Sequence, residues 1–214
     1  MKIIKRLLIF LFLVIIIVIG LLYLGINRIS TTVTEADLPQ DVYESDGDIS
    51  VLLLSKAAEI VLADEEDSYT LIEDFINLLI FDIIKDNINP EYDPINGDDE
   101  VNKYIISRDK LTIDYIYAHL NEENQLIITV SIKRPNIVET AFHFVFDIEY
   151  EFSSFSLTLS LDKVFLHDIE IKRNIYDYFV SMADKNQVEQ YVETGELDLE
   201  EYTYSISFFD LVGL

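Results

Sequence analysis

Three histidines, His119, His143 and His167, stand 24 residues apart. Imidazole is a common metal ligand and titrates nearest neutrality, so such a set invites a metal or acid–base reading. Their placement works against it. His119 lies beside a turn at Asn121, His143 opens one strand, and His167 closes the next. A meander of those strands puts His143 and His167 near one end and His119 near the other. Only His143 and His167, with Asp168, remain as a set that could meet, and solvent-facing histidines are the plainer expectation.

A second cluster, Asp93, Asn96, Asp98, Asp99 and Glu100, surrounds Gly97 in the manner of a calcium loop. An EF-hand needs oxygen ligands at alternate positions before its glycine and a glutamate six residues after it. Aligned on Gly97, this chain offers Tyr92 and Pro94 as ligands and Lys103 at the closing position. The stretch reads as a solvated acidic loop, and no metal is expected. Phosphate-cradling chemistry needs clustered glycines. Outside the amino-terminal run only Gly47, Gly97, Gly195 and Gly213 occur, none near another. There is no cysteine nucleophile and no G-x-S-x-G elbow. No catalytic residues and no cofactor are expected.

The remaining candidate is apolar. Phe142, Phe144, Phe146, Ile148, Tyr150 and Phe152 alternate with His143, Asp147, Glu149 and Glu151, a period of two that builds a strand with one aromatic face. Such a stripe is more often core than ligand wall. Yet a loosely seated covering helix would leave a hydrophobic groove. Its lining would be Phe75, Leu79, Phe142, Phe144, Phe146 and Phe152, suited to a lipid chain or other apolar ligand.

The elements that must position these residues are legible in the periodicity. Asp48 caps a helix whose apolar residues Ile49, Leu52, Leu53, Ala57, Ile60 and Val61 recur at threes and fours, although Val51–Leu54 could instead form a short strand. After an acidic break at 64–67, Thr70 and Glu73 have capping-box spacing. A strongly apolar helix then runs from Thr70 to Ile88, with Asp82 and Lys85 on its polar side and Pro90 ending it. Strands follow at Leu111–Ala118, Leu126–Ile132, Phe142–Phe152 and Phe155–Leu166, with phase shifts that suggest bulges. Ile169–Ile171 leads to a helix capped by Asn174, with Ile175, Tyr178, Phe179 and Met182 on one face. A last strand covers Tyr202–Phe208. The fold expected is α+β: an antiparallel β-meander sheet with helices packed on one face, behind an amino-terminal transmembrane helix.

That helix is read from Leu7–Ile26, an apolar run broken only by Gly20, Tyr23 and Gly25 and preceded by Lys2, Lys5 and Arg6. About 20 helical residues span the roughly 30 Å of a bilayer core. The run is too long for a signal peptide and lacks a small-x-small cleavage site. Basic flanks stay cytoplasmic. The expectation is therefore a single-pass anchor over 1–27, an acidic linker over 28–47, and an extracytoplasmic domain over 48–214.

Four of the 15 basic residues flank the anchor (Lys2, Lys5, Arg6, Arg28), leaving 11 against all 40 acidic residues, a body of formal charge −29. Nucleic acid and anionic headgroups repel such a body. The chain's 13 Phe and 13 Tyr, nearly all of them in the body, rule against disorder.

In its order of elements the chain resembles the YpmS-like family of bacterial single-pass proteins of unknown function. The likeness covers the anchor, the polar linker, the apolar helix Thr70–Ile88, and the meander Leu111–Leu166. It continues in the pattern Leu157-x-Leu159-x-Leu161-x-x-Val164-x-Leu166 and in Ile169-x-Ile171 before a helix. Members often carry glycine and proline near that last junction, where His167 and Lys172 stand here. The resemblance implies no catalytic residues. The function expected is a membrane-anchored extracytoplasmic domain that binds an apolar ligand or docks an envelope protein partner. Two alternatives stand beside it: a carboxylate-dependent envelope hydrolase, and a purely structural component of a membrane assembly.

Overall fold

Asp48 caps the first long helix as its side chain allows. Its φ and ψ are extended (−65°, 115°) and its carboxylate accepts the Ser50 N–H at 3.0 Å. The residues that could have formed a short strand are helical. We describe the protein from a computed structural model covering residues 38–43, 48–63, 65–95, 97, 100–108, 111–134, 138–151, 153–182, 196–198 and 201–208. The run Leu7–Ile26 and Phe152 lie outside the described residues.

The helices are α1 (Gln40–Tyr43), α2 (Ile49–Leu62), α3 (Glu65–Ile83, continued by a wide π-turn Ile84–Ile88), α4 (Glu100–Lys103) and α5 (Arg173–Met182). The strands are β1 (Ile106–Arg108), β2 (Leu111–Leu120), β3 (Leu126–Arg134), β4 (Val138–Glu151), β5 (Ser156–Leu166), β6 (Ile169–Ile171), β7 (Glu196–Asp198) and β8 (Thr203–Ser207). All pair antiparallel in one sheet of order β1-β2-β3-β4-β5-β8-β7, with β6 attached to β5. The body is thus α+β, and the meander β2–β5 carries it.

Two bulges set the faces. In β2, Ile113 pairs with Ile132 but Tyr115 pairs with Ser131, so Asp114 is an extra residue. The alternation inverts there: Ile116 and Ala118 join Ile113 on the helix-covered side, and Tyr115 and Tyr117 move to the opposite face. A strict period of two places Tyr115 and Tyr117 with Ile113, and the bulge corrects that. In β5 the extra residue is Asp162, between the partners of Val145 and Phe146. It keeps Leu157, Leu159 and Leu161 on the same side as Val164 and Leu166, as the phase shift in the sequence suggests.

Other elements depart from the sequence reading. Helix α3 starts at Glu65, so Thr70 is an interior helical residue and the Thr70/Glu73 pair is no capping box. Glu73 instead reaches the sheet, accepting the Leu120 N–H at 2.8 Å. Asp82 faces inward and is nearly closed to solvent. On α5 Ile175 packs against the core as its expected face would, but Tyr178 is exposed and Tyr176 is buried instead. Tyr176 packs edge-on against Tyr202, with ring centroids 5.4 Å apart. Leu38, Val42 and Tyr43, within the linker expected over 28–47, are buried in the core.

Candidate functional site

The core is one continuous cluster in which α3 lies over the apolar side of the sheet. Phe75, Leu79, Phe142, Phe144 and Phe146 all belong to it, none more than 2% exposed. Five of the six expected lining residues are thus buried in the same core cluster. Phe75 also meets Phe208 edge-on at 5.3 Å, and Phe208 meets Tyr150 at 5.9 Å. These rings are packed on protein. Each contributes roughly 1.5–3 kcal/mol by leaving water, a stabilising role that a groove wall open to ligand would forfeit.

The contact between α3 and the sheet is also polar, which the apolar pattern does not foretell. Strand β1 pairs only with residues 111–113 of β2. Beyond it the outer edge of β2 would expose unpaired backbone. Side chains close that edge. Tyr92 Oη donates to the Asp114 carbonyl at 3.1 Å and Tyr43 Oη to the Ile116 carbonyl at 3.3 Å. Asn77 makes both bonds of a missing strand: its Nδ2 donates to the Ala118 carbonyl at 2.8 Å, and its Oδ1 accepts the Ala118 N–H at 2.7 Å. Glu73 takes the Leu120 N–H. The bulge at Asp114 brings these even-numbered backbone groups to the edge where β1 stops. Burial holds the hydroxyls of Tyr43 and Tyr92 well above the ordinary phenol range, so both stay protonated as donors.

The sheet's other face carries the titratable groups. His143 is not at the start of its strand, because β4 begins five residues earlier at Val138. It sits opposite Thr129, whose other neighbour is Tyr117, and His119 lies two residues beyond Tyr117 on that face. The two histidines are thus diagonal neighbours across β3 and not at opposite ends. His143 Nδ1 is 3.0 Å from Thr129 Oγ1. Burial, then the charges of His119 and His167, holds His143 below the usual imidazole range. His167 Nε2 lies 3.2 Å from an Asp168 carboxylate oxygen. On the same face the fully buried Asp114 pairs with Lys133 at 2.7 Å. Among the described residues no group of three or more His, Asp or Glu side chains is arranged to hold a metal ion.

The acidic loop has a structural use. Asp93 Oδ1 accepts the Ile95 N–H at 3.2 Å, and Gly97 N–H donates to the Asp93 carbonyl at 3.0 Å. A Cβ at Gly97 would stand 2.4 Å from that carbonyl oxygen, so the glycine serves a tight backbone approach. Asp147 and Asp162 converge at the surface on the Gln125 amide, at 2.8 and 3.4 Å, with Lys163 2.8 Å from Asp162.

One surface went unnoticed in the sequence. Val51, Leu54 and Leu62 of α2 are 61%, 48% and 85% exposed. The available signal was that the apolar residues of ISVLLLSKAAEIVL exceed a single stripe, whereas a helix with one buried face needs only one. Comparison with known proteins finds no matching protein family, no matching curated protein and no matching solved structure.

Proposed function

We propose that this chain is a single-pass membrane protein whose body stands outside the cytoplasm and docks a protein partner of the cell envelope. The observation that carries the docking reading is the burial of Phe75, Leu79, Phe142, Phe144 and Phe146 in a single core. Burial of those rings favours the docking version over the apolar-ligand version. The anchor rests on Leu7–Ile26 and its basic leading flank. Among the described residues no helix is long and apolar enough to cross a membrane. A formal charge of −29 on the body favours a partner with a basic surface. The likeness to YpmS-like proteins belongs to the same proposal and adds no residue roles to it.

The test uses the full chain. Crosslinking in native membranes, quantified by mass spectrometry, is expected to return one recurrent protein joined through body residues, with yield falling as salt is raised. Native mass spectrometry of the purified chain supplies the opposing outcome. A lipid retained by the body in fixed stoichiometry, with no recurrent protein partner, would return the function to an apolar-ligand carrier.

A further inference from the structure

Helix α2 carries two separate apolar arcs, their centres about 130° apart around the axis. At 100° per residue, Leu53, Ala57 and Ile60 lie within an arc of about 60° and are buried. Val51, Leu54, Ala58 and Leu62 lie within a second arc of about 80° and are exposed. The helix carries only two charges, Lys56 and Glu59, which pair with each other at 3.1 Å. In a body of charge −29 it is a neutral apolar island.

Its place in the chain says what that island meets. Leu38, Val42 and Tyr43 are fixed in the core, so between the end of the apolar run at Ile26 and the body lie only residues 27–37. Twelve residue steps reach at most about 40 Å even fully extended. Asp48, the α2 cap, follows Tyr43 by five residues. The surface least repelled by lipid is thus joined to the anchor by a short tether.

We infer that α2 seats the body on the outer leaflet, its exposed stripe of Val51, Leu54, Ala58 and Leu62 lying in the zone between headgroups and acyl chains of a zwitterionic membrane. An interfacial helix needs one apolar face in that zone. Here the buried arc of Leu53, Ala57 and Ile60 belongs to the protein core, so the helix fixes the orientation of the whole domain. The inference rests on the anchor reading and adds a second, weaker membrane contact to it.

The chain has no cysteine, so single labelling sites can be introduced cleanly. The full chain, carrying Leu54→Cys, Leu62→Cys or, as a comparison in the β2–β3 turn, Glu123→Cys, is labelled with an environment-sensitive fluorophore and reconstituted into phosphatidylcholine nanodiscs containing a lipid-borne quencher. Quenching several-fold stronger at positions 54 and 62 than at 123 is the expected result. Weak, equal quenching at all three sites in a chain that resides in the disc overturns the inference and spares the anchor. A chain that fails to enter discs overturns both. A disulfide between two copies of the unlabelled Leu54→Cys chain in the disc also overturns it, in favour of a second copy on that stripe.

Discussion

Asn77 is expected to matter more to stability than any polar residue in an apolar helix normally would. It is almost fully buried and its amide replaces a neighbouring strand for Ala118, donating at 2.8 Å and accepting at 2.7 Å. Asn77→Leu keeps the volume and removes both bonds. The Ala118 N–H and C=O are then stranded away from water, and each stranded group costs about 1–3 kcal/mol. The expected loss is roughly 2–6 kcal/mol, a large share of the 5–15 kcal/mol typical of a domain. Asn77→Asp separates the two bonds. Its carboxylate still accepts the Ala118 N–H, but its second oxygen now faces a carbonyl and repels it. Protonation restores a donor, so the folded-state pKa of the new carboxyl lies above its unfolded value. The Asn77→Asp deficit must therefore be greatest at neutral pH and shrink as pH falls through that raised pKa. Urea unfolding of the full chain in mild detergent, followed by far-UV circular dichroism at several pH values, reads both effects. A loss under 1 kcal/mol for Asn77→Leu, or a pH-independent deficit for Asn77→Asp, would refute the sealed edge.

Two further outcomes follow from the same geometry. Asp82 is closed off, its Oδ2 has no hydrogen-bond partner, and burial, then the charges of Asp86 and Asp48, raises its pKa to about 6. The folded state then binds the extra proton, so stability falls as pH rises from about 4 through 6, by roughly 2–3 kcal/mol. Asp82→Asn should recover that amount at pH 8 and nothing at pH 4, and an equal gain at both pH values would refute this origin. His167 occupies the first position of the two-residue β5–β6 turn at φ 55°, where glycine carries no steric penalty. His167→Gly is expected to raise the unfolding midpoint by the equivalent of about 1 kcal/mol, the left-handed strain relieved less the added freedom of the unfolded chain; a lower midpoint would mean that the imidazole's own contacts outweigh that strain.

The sequence was most legible where the chain obeys its own period. The cap at Asp48, the apolar body of α3, the end at Pro90, the turn at Asn121–Asn124, and strands β2, β3 and β5 appear where local pattern puts them, and β4 does so but starts four residues earlier, at Val138. It was least legible where one residue resets the phase. Asp114 turns Tyr115 and Tyr117 away from the helix, and nothing in a two-residue alternation announces that. Composition also misplaced Asp82, because a carboxylate is taken as solvent-facing until packing shows otherwise.

For the candidate site the division is sharper. The aromatic alternation from Phe142 already required a strand with one apolar face, and the apolar excess of α3 already required a sheet to cover. Whether the space between them was a groove or a core depended on how closely two surfaces distant in sequence interlock, which no local pattern encodes. Tyr43, Asn77 and Tyr92 reach the edge of β2 from three separate segments, across sequence separations of 73, 41 and 22 residues. Likewise, an apolar helix is visible in ISVLLLSKAAEIVL, but which of its sides stays uncovered depends on where α3 packs. The sequence by itself determined the longer elements, the charge and the apolar run at the start of the chain. The tertiary structure decided which apolar faces were spent on folding and which remained exposed, because that depends on how segments distant in sequence pack.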